Sequence, residues 1–140
     1  MSRTEISQLG EFGLIDRINS HTSIKNPSTK KGIGDDAAVI QVEPGSVTLV
    51  STDMLVEGIH FDLAYFPLQH LGYKSVAVNV SDIAAMNGQA KQITMSIGLS
   101  NRFSLEAVEE LYKGINQACE DYGVDLVGGD TTASRSGLIL

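Results

Sequence analysis

Four short acidic segments of this chain carry the side chains whose types and spacing could do chemistry. They are Gly32-Ile33-Gly34-Asp35-Asp36, Ser51-Thr52-Asp53, Ser81-Asp82 and Gly128-Gly129-Asp130. The first precedes an apolar run, and the segments at 51–53 and 128–130 stand where we expect strands to end. Two like charges near 4 Å apart repel by about 4 kcal/mol at an effective dielectric of about 20. We therefore predict that these segments converge on divalent cations that offset the repulsion.

The available ligand atoms indicate which cation. Carboxylate, hydroxyl and carbonyl oxygens suit a hard ion such as Mg²⁺, whereas zinc is usually held by clustered cysteine or histidine. The glycine-rich turns contain no lysine and the sequence has no GxxxxGK[ST] motif, so a P-loop is excluded. Each segment alone is also typical of an ordinary turn. Together they favour a site in which magnesium brings a nucleotide to an acidic surface.

Composition limits the class of protein. The 140 residues are 42% hydrophobic and 19% charged, which predicts one globular domain with its own core. A net charge of −7 argues against a nucleic-acid partner. The single cysteine, Cys119, allows no internal disulfide, and no signal core or membrane-length apolar run is present, so we expect a cytoplasmic protein with no membrane partner. The apolar end at Ser136–Leu140 resembles the start of a strand and predicts that the chain belongs to a longer protein.

Hydrophobic periodicity predicts the elements of the first half. Thr4 is expected to cap an amphipathic helix over residues 6–18, and Asn19–Lys31 is expected to be a mobile loop. Ala37–Val42 and Val47–Ser51 are predicted to pair as a hairpin.

The second half gives clearer patterns. Residues 68–86 fit both an alternating strand and a helix, and their length with the Asn87-Gly88 stop favours the helix. Residues 92–99 alternate as a half-buried strand, Ser104 is predicted to cap a helix that Gly123 ends, and residues 124–127 form a short strand. The sum predicts an α+β domain.

Several stretches closely resemble one enzyme family in residue identity, order and spacing. They are Gly32–Ala38, Ser51–Phe61, Gly72–Met86 and Gly128–Thr132. They are similar to bacterial thiamine-monophosphate kinases, which belong to the aminoimidazole-ribotide synthase-like superfamily. The resemblance covers the N-terminal half of those enzymes.

The resemblance implies an architecture and a reaction. Residues 1–140 would be an N-terminal ATP- and Mg²⁺-binding and dimerisation domain, with the C-terminal domain absent from this chain. Its mixed or antiparallel sheet would carry helices on one face and join a second copy in a β-barrel-like homodimer. The implied reaction is ATP plus thiamine monophosphate giving ADP plus thiamine diphosphate, and we expect the 140 residues alone to be inactive.

Position by position, the resemblance also implies roles for individual residues. Tyr112, Gly129 and Asp130 would contact the nucleotide, and His60 would contact the substrate. Plainer alternatives remain open, because Tyr112 fits a core position, His60 a hydrogen-bonded strand residue, and Ser51 a strand end. Asp36 is left out of the ligand set, since it could cap the turn. The implied metal ligands are Asp35, Ser51, Thr52, Asp53, Asp82 and Asp130.

Two other functions stay open at this level. One is a non-catalytic metal- and nucleotide-binding dimerisation module. The other is a different ATP-dependent enzyme of the same superfamily.

Overall fold

The computed structural model describes residues 6–34 and 37–140. Within that range a 3-10 turn at Ile6–Gln8 precedes the first helix. The elements are, in chain order, α1 Gly10–Asn19, β1 Thr29–Lys31, β2 Val39–Ile40, α2 Leu68–Ala85, β3 Gln92–Leu99, α3 Leu105–Tyr122 and β4 Asp125–Ala133. None of these described helices has the length and apolar character that crossing a bilayer requires.

The central sheet is mixed. β3 and β4 run parallel, from the pair Gln92 and Asp125 onward, and α3 makes the crossover that a parallel pair needs. The C-terminal segment adds an antiparallel neighbour on the other side of β3, because Gly98 and Ile139 exchange backbone hydrogen bonds of 2.9 and 3.1 Å. Leu55 and Leu140 exchange a further pair of 2.9 and 3.0 Å. The predicted α+β class with a mixed sheet is therefore confirmed.

The helices cover one face of the β3–β4 sheet. Along β3, Met95 and Ile97 are buried in the same core as Leu111 and Ile115 of α3. Thr94 and Ser96, which alternate with them, are exposed. A strand places alternate side chains on opposite faces, so the second face of the sheet is not covered by a described helix, although the end of α2 borders it. That bare face is where the candidate site lies.

α2 and α3 pack against each other through two glycines. A Cβ atom on Gly72 would lie 2.0 Å from the carbonyl oxygen of Leu111, and one on Gly114 would lie 1.8 Å from that of Gln69. Only glycine permits so close an approach of two helix backbones. This contact sets the position of α2, the helix that carries Asp82.

The helices predicted in the second half are confirmed with their boundaries. α3 begins after Ser104, whose side chain accepts a hydrogen bond from the Ala107 N–H at 3.3 Å, and it ends at Gly123 in the left-handed conformation, with φ +65°. α2 ends before Asn87, which itself has φ +57°. Cys119 is buried in the core, as expected.

The predicted hairpin is wrong in its pairing. The turn at Glu43–Ser46 is present, with a 3.2 Å hydrogen bond between its ends. β2, however, pairs antiparallel with β1, and residues 47–51 join no ladder in the described part of the chain. Local alternation predicts a strand but does not identify its partner, which here is β1, a strand inside the stretch predicted to be a loop.

Three further expectations also change. The predicted mobile loop includes strand β1, and its residues 25–29 are tied to β4 by hydrogen bonds described below. The predicted N-terminal helix is interrupted at Gly10, whose φ of +69° is incompatible with a continuous helix, and its expected cap Thr4 lies outside the described residues. β4 continues to Ala133, so the Gly128–Asp130 segment lies within the strand and not at its end.

Candidate functional site

A wide cavity of about 1280 Å³ opens on the bare face of the β3–β4 sheet. Its walls are the exposed side of the two strands, the segment at residues 47–55 and the end of α2. Four of the predicted metal ligands line it: Ser51, Thr52, Asp53 and Asp130. Segments far apart in sequence therefore meet at one cavity, and the divalent cation expected there stays a prediction.

The fifth ligand, Asp82, is joined to this group by a hydrogen bond. The Ser51 hydroxyl donates to Asp82 Oδ2 at 2.9 Å. Asp82 lies in the last turn of α2 and both side chains are exposed. The hydroxyl oxygen keeps its lone pairs while it donates its proton, so the two side chains present adjacent oxygen ligands to a cation.

α2 also holds the backbone of Asp53. The Asp53 N–H donates to Asn79 Oδ1 at 3.0 Å, and Asn79 Nδ2 donates to the Ser75 carbonyl at 2.9 Å. Sequence reasoning did not assign a role to Asn79. Its spacing of three residues from Asp82 places both on one side of the helix, and that spacing is the signal by which it could have been found.

The strand around Asp130 requires its glycine. Gly129 has φ +154°, and a Cβ there would lie 1.9 Å from the Met95 carbonyl oxygen on β3. Asp130 pairs in register with Ser96, which is exposed on the bare face. The glycine therefore lets the two strands approach while the next residue presents its carboxylate to the cavity.

The carboxylates do not form a tight cluster in the described part of the chain. No three histidine, cysteine or acidic side chains there lie close enough to hold one metal ion. Asp35 and Asp36 lie outside the described residues. The donors on the cavity nevertheless fit Mg²⁺, because they are all oxygen and because Mg²⁺ usually takes only one or two carboxylates beside water and phosphate.

His60 occupies a closed turn and does not line the large cavity. Its Nδ1 accepts the Val56 N–H at 3.0 Å, and its carbonyl accepts Lys74 Nζ of α2 at 3.0 Å. The neutral ring therefore carries its proton on Nε2. The alternative of a hydrogen-bonded strand residue is confirmed for the hydrogen bond and wrong for the strand, because His60 lies in a turn.

Tyr112 lies on the helix side of the sheet, and the structure does not bring it together with Asp130. It is 8% exposed, and burial raises the pKa of its hydroxyl to about 12. No hydrogen bond joins that hydroxyl to another described residue. The side chain lines a separate cavity of about 250 Å³ between α1 and α3, together with Leu14, Arg17, Ile18, His21, Leu105, Val108, Glu109, Lys113 and Asn116.

Sequence reasoning missed one residue with extensive interactions, Asp125. Its carboxylate is completely buried, yet it accepts hydrogen bonds from the Thr29 hydroxyl and from the N–H groups of Lys25 and Asn26. Burial by itself raises the pKa of this carboxyl, but the hydrogen bonds outweigh burial and the net shift is downward. The available signal was a lone charge within the apolar run Val124–Val127.

Comparison with known families places most of the chain in one of them. Residues 34–140 match the family described as AIR synthase related protein, N-terminal domain. The match includes the cavity-lining residues on β4 and the segment at 51–53.

Curated relatives share a common name. The chain is 38% identical over 132 residues to the thiamine-monophosphate kinase of Bacillus subtilis (strain 168), an alignment that covers 94% of this chain and 40% of the relative. The chain thus spans about two fifths of the length of the curated relatives it matches.

Solved structures show the same fold. The thiamine-monophosphate kinase of Stenotrophomonas maltophilia K279a aligns with a TM-score of 0.77 at 33% identity, covering 93% of this chain and 40% of that one. A structure of AaThiL complexed with AMPPCP and TMP aligns with a TM-score of 0.60 at 30% identity, covering 99% of this chain and 42% of that one.

Proposed function

Because this chain belongs to the family described as AIR synthase related protein, N-terminal domain, we propose that it is the magnesium- and nucleotide-binding part of a thiamine-monophosphate kinase. The reaction is transfer of the γ-phosphoryl group of ATP to thiamine monophosphate, giving thiamine diphosphate. The observation that carries the proposal is the meeting of Ser51, Thr52, Asp53 and Asp130 at one cavity, with Asp82 bonded to Ser51. The AaThiL complex with AMPPCP and TMP supports the choice of substrates.

We assign the metal to the bare face of the sheet. The proposed ligands among the described residues are the carboxylates of Asp53, Asp82 and Asp130 and the hydroxyls of Ser51 and Thr52. Asp35 completes the proposed set. Bound magnesium would screen the charge of the triphosphate. The acidic surface alone would repel an anion, so the protein residues are suited to hold the nucleotide only together with its cations.

The proposed chemistry needs no general base in the protein. The attacking group is a phosphate oxygen, and a phosphate monoester with a second pKa of about 6 is already mostly dianionic at neutral pH. Positioning two anions in line is then the task of the chain. Two residues of α2 contribute to this positioning: Asn79 bonds the backbone of Asp53, and Asp82 bonds the side chain of Ser51.

The proposed contacts to the organic parts of the ligands lie partly outside the large cavity. We propose that His60 contacts thiamine monophosphate, since its Nδ1 bond to Val56 leaves Nε2–H as the donor of an exposed ring. Tyr112 is proposed as a nucleotide contact because it lines the smaller cavity and its hydroxyl bonds no described residue. Gly129 and Asp130 are the proposed contacts on the sheet.

We further propose that the active form is a cytoplasmic homodimer with a barrel-like core. Residues 47–51 join no strand among the described residues, and their apolar side chains are exposed, Val47 at 88% and Val50 at 90%. Unpaired backbone with apolar side chains favours pairing with a second copy. The rest of the catalytic groups are proposed to come from the part of the relatives that this chain does not span.

Calorimetric titration of the chain with a non-hydrolysable ATP analogue tests the binding function. We expect binding with Mg²⁺ and none with EDTA, and a coupled ADP-release assay should show no turnover of thiamine monophosphate by these 140 residues. Absence of magnesium-dependent binding would leave a purely structural module. A panel of phosphate acceptors offered to the full-length protein separates thiamine-phosphate kinase from another activity of the superfamily.

A further inference from the structure

A buried carboxylate at the start of β4 holds a loop that lies about a hundred positions earlier in sequence. Asp125 is 0% exposed. Its Oδ1 accepts the Lys25 N–H at 2.6 Å, and its Oδ2 accepts the Asn26 N–H at 3.0 Å and the Thr29 hydroxyl at 2.6 Å. Hydrogen bonds to an ionised carboxylate are among the strongest in proteins. With three donors bound, Asp125 acts as an anchor and not as a metal ligand.

The neighbouring strand fastens the same loop. Gln92 is the register partner of Asp125 on β3, and its Nε2 lies 2.8 Å from both Thr29 Oγ1 and Ser28 Oγ. Asn26 Nδ2 donates to the Lys91 carbonyl at 2.8 Å and the Gly123 carbonyl at 3.0 Å. Residues 25–29 are therefore bound to the starting edges of both central strands.

The anchor determines where the chain goes next. Gly32 follows Thr29 by three residues and is buried against β4, where a Cβ would lie 3.9 Å from the Val127 Cα and 3.2 Å from Ile24 Cδ1. Val127 precedes Asp130 by three positions on that strand. The loop bound by Asp125 thus sets the glycine-rich segment beside the strand that carries a proposed metal ligand.

We propose that Asp125 is a positioning residue of the magnesium–nucleotide site, which acts by fixing loop 25–29 and thereby the placement of Gly32 on β4. This proposal rests on the proposed function. Removing an outer partner of a metal site commonly weakens metal affinity by about 10-fold or more. We expect a loss of that order in the magnesium-dependent affinity for an ATP analogue.

Hydrogen exchange tests the anchor independently of any ligand. Asp125→Asn replaces an acceptor oxygen with an amide group where three donors converge, and we expect faster exchange in residues 22–34 than in the wild type. Thr29→Val removes the donor to Asp125 and the acceptor of Gln92 Nε2 without changing the shape of the side chain, and is the variant to use should Asp125→Asn fail to fold. Thr29→Ser keeps the hydroxyl and should restore wild-type exchange. Unchanged exchange in both Asp125→Asn and Thr29→Val would overturn the anchor.

Calorimetry with Mg²⁺ and the ATP analogue then tests the role in binding. Thr29→Val should bind more weakly than the wild type and Thr29→Ser equally well. Ile115→Val, a core truncation on the far side of the sheet, should lower the melting temperature while leaving the affinity unchanged, which controls for general destabilisation. Faster exchange with wild-type affinity overturns the positioning role. If the wild-type chain itself binds no magnesium nucleotide, the proposed function fails and the positioning role falls with it, while the exchange data still decide whether Asp125 anchors the loop.

Discussion

Gly114→Ala provides a sensitive test of the packing that positions α2. Considered as a helix residue alone, alanine is more favourable than glycine by about 1 kcal/mol, so helix propensity predicts a stabilised protein. The structure predicts the opposite. The new Cβ would lie 1.8 Å from the Gln69 carbonyl oxygen, 2.7 Å from its carbonyl carbon and 2.9 Å from the Tyr73 nitrogen.

The magnitude follows from those contacts. The shortest is about 1.5 Å or more inside the usual separation of non-bonded heavy atoms, and the atoms it meets are backbone, so no rotamer change relieves it. Overpacking typically costs about 1–3 kcal/mol, and rigid backbone on the opposing helix places this site at the top of that range. After subtracting the gain in propensity, we expect a net destabilisation of about 2 kcal/mol, or about 8 °C in melting temperature.

Urea unfolding monitored by circular dichroism measures the effect. Gly13→Ala in α1 is the matched control, because its Cβ would meet only the Leu9 side chain, with the Leu9 Cβ at 3.1 Å, and no backbone atom of an opposing helix. That variant should be neutral or slightly stabilised. Because α2 carries Asn79 and Asp82, Gly114→Ala should also weaken magnesium-dependent nucleotide binding. A Gly114→Ala protein as stable as the wild type would refute the close helix crossing.

Three other variants test the site and the anchor. Ser51→Ala removes the exposed donor to Asp82, so we expect a stability change within about 0.5 kcal/mol but weaker magnesium-dependent binding by calorimetry. Tyr112→Phe removes a hydroxyl that bonds no described residue, so the free energy of unfolding should change little while nucleotide affinity falls; unchanged affinity would assign Tyr112 to the core alone. Because the pKa of Asp125 is lowered in the folded state, its ionised carboxylate contributes stability at pH values above the ordinary carboxyl pKa. This contribution is lost as the pH falls through the folded-state pKa. The stability difference between wild type and Asp125→Asn in urea should therefore be large at pH 7 and shrink below about pH 4; a difference independent of pH would contradict an ionised, hydrogen-bonded Asp125.

The elements with strong local signals were predictable from sequence. α3 has a serine cap, a continuous apolar stripe and a terminal glycine, and the structure confirms each of them. In β3 the exposed and buried side chains alternate from Thr94 to Ile97, as the apolar pattern predicts. Local signals suffice there because capping and periodicity act within a few residues of one another.

The pairing of the first half was not predictable in the same way. The sequence of Val47–Ser51 predicts the return strand of a hairpin, but in the structure β2 pairs with β1. Asp125 holds the loop ahead of β1 and Thr29 of β1 itself, from about a hundred positions later in the chain. An interaction over such a separation leaves no periodic trace in either segment.

By itself, the amino-acid sequence determined the chemistry available to this protein: acidic and hydroxyl side chains beside glycine-rich segments, on an acidic domain without a lysine phosphate loop. Helices, strands and turns form as the sequence predicts where capping residues and hydrophobic periodicity indicate the same element. Only the tertiary structure decided which of those side chains meet. It brings Ser51, Thr52, Asp53 and Asp130 to one cavity and leaves Tyr112 on the opposite side of the sheet. The buried Asp125 holds a loop in place and does not line the smaller cavity or the larger one. The reason is that burial and hydrogen bonding between distant segments, and not residue type, set the distances on which a binding site depends.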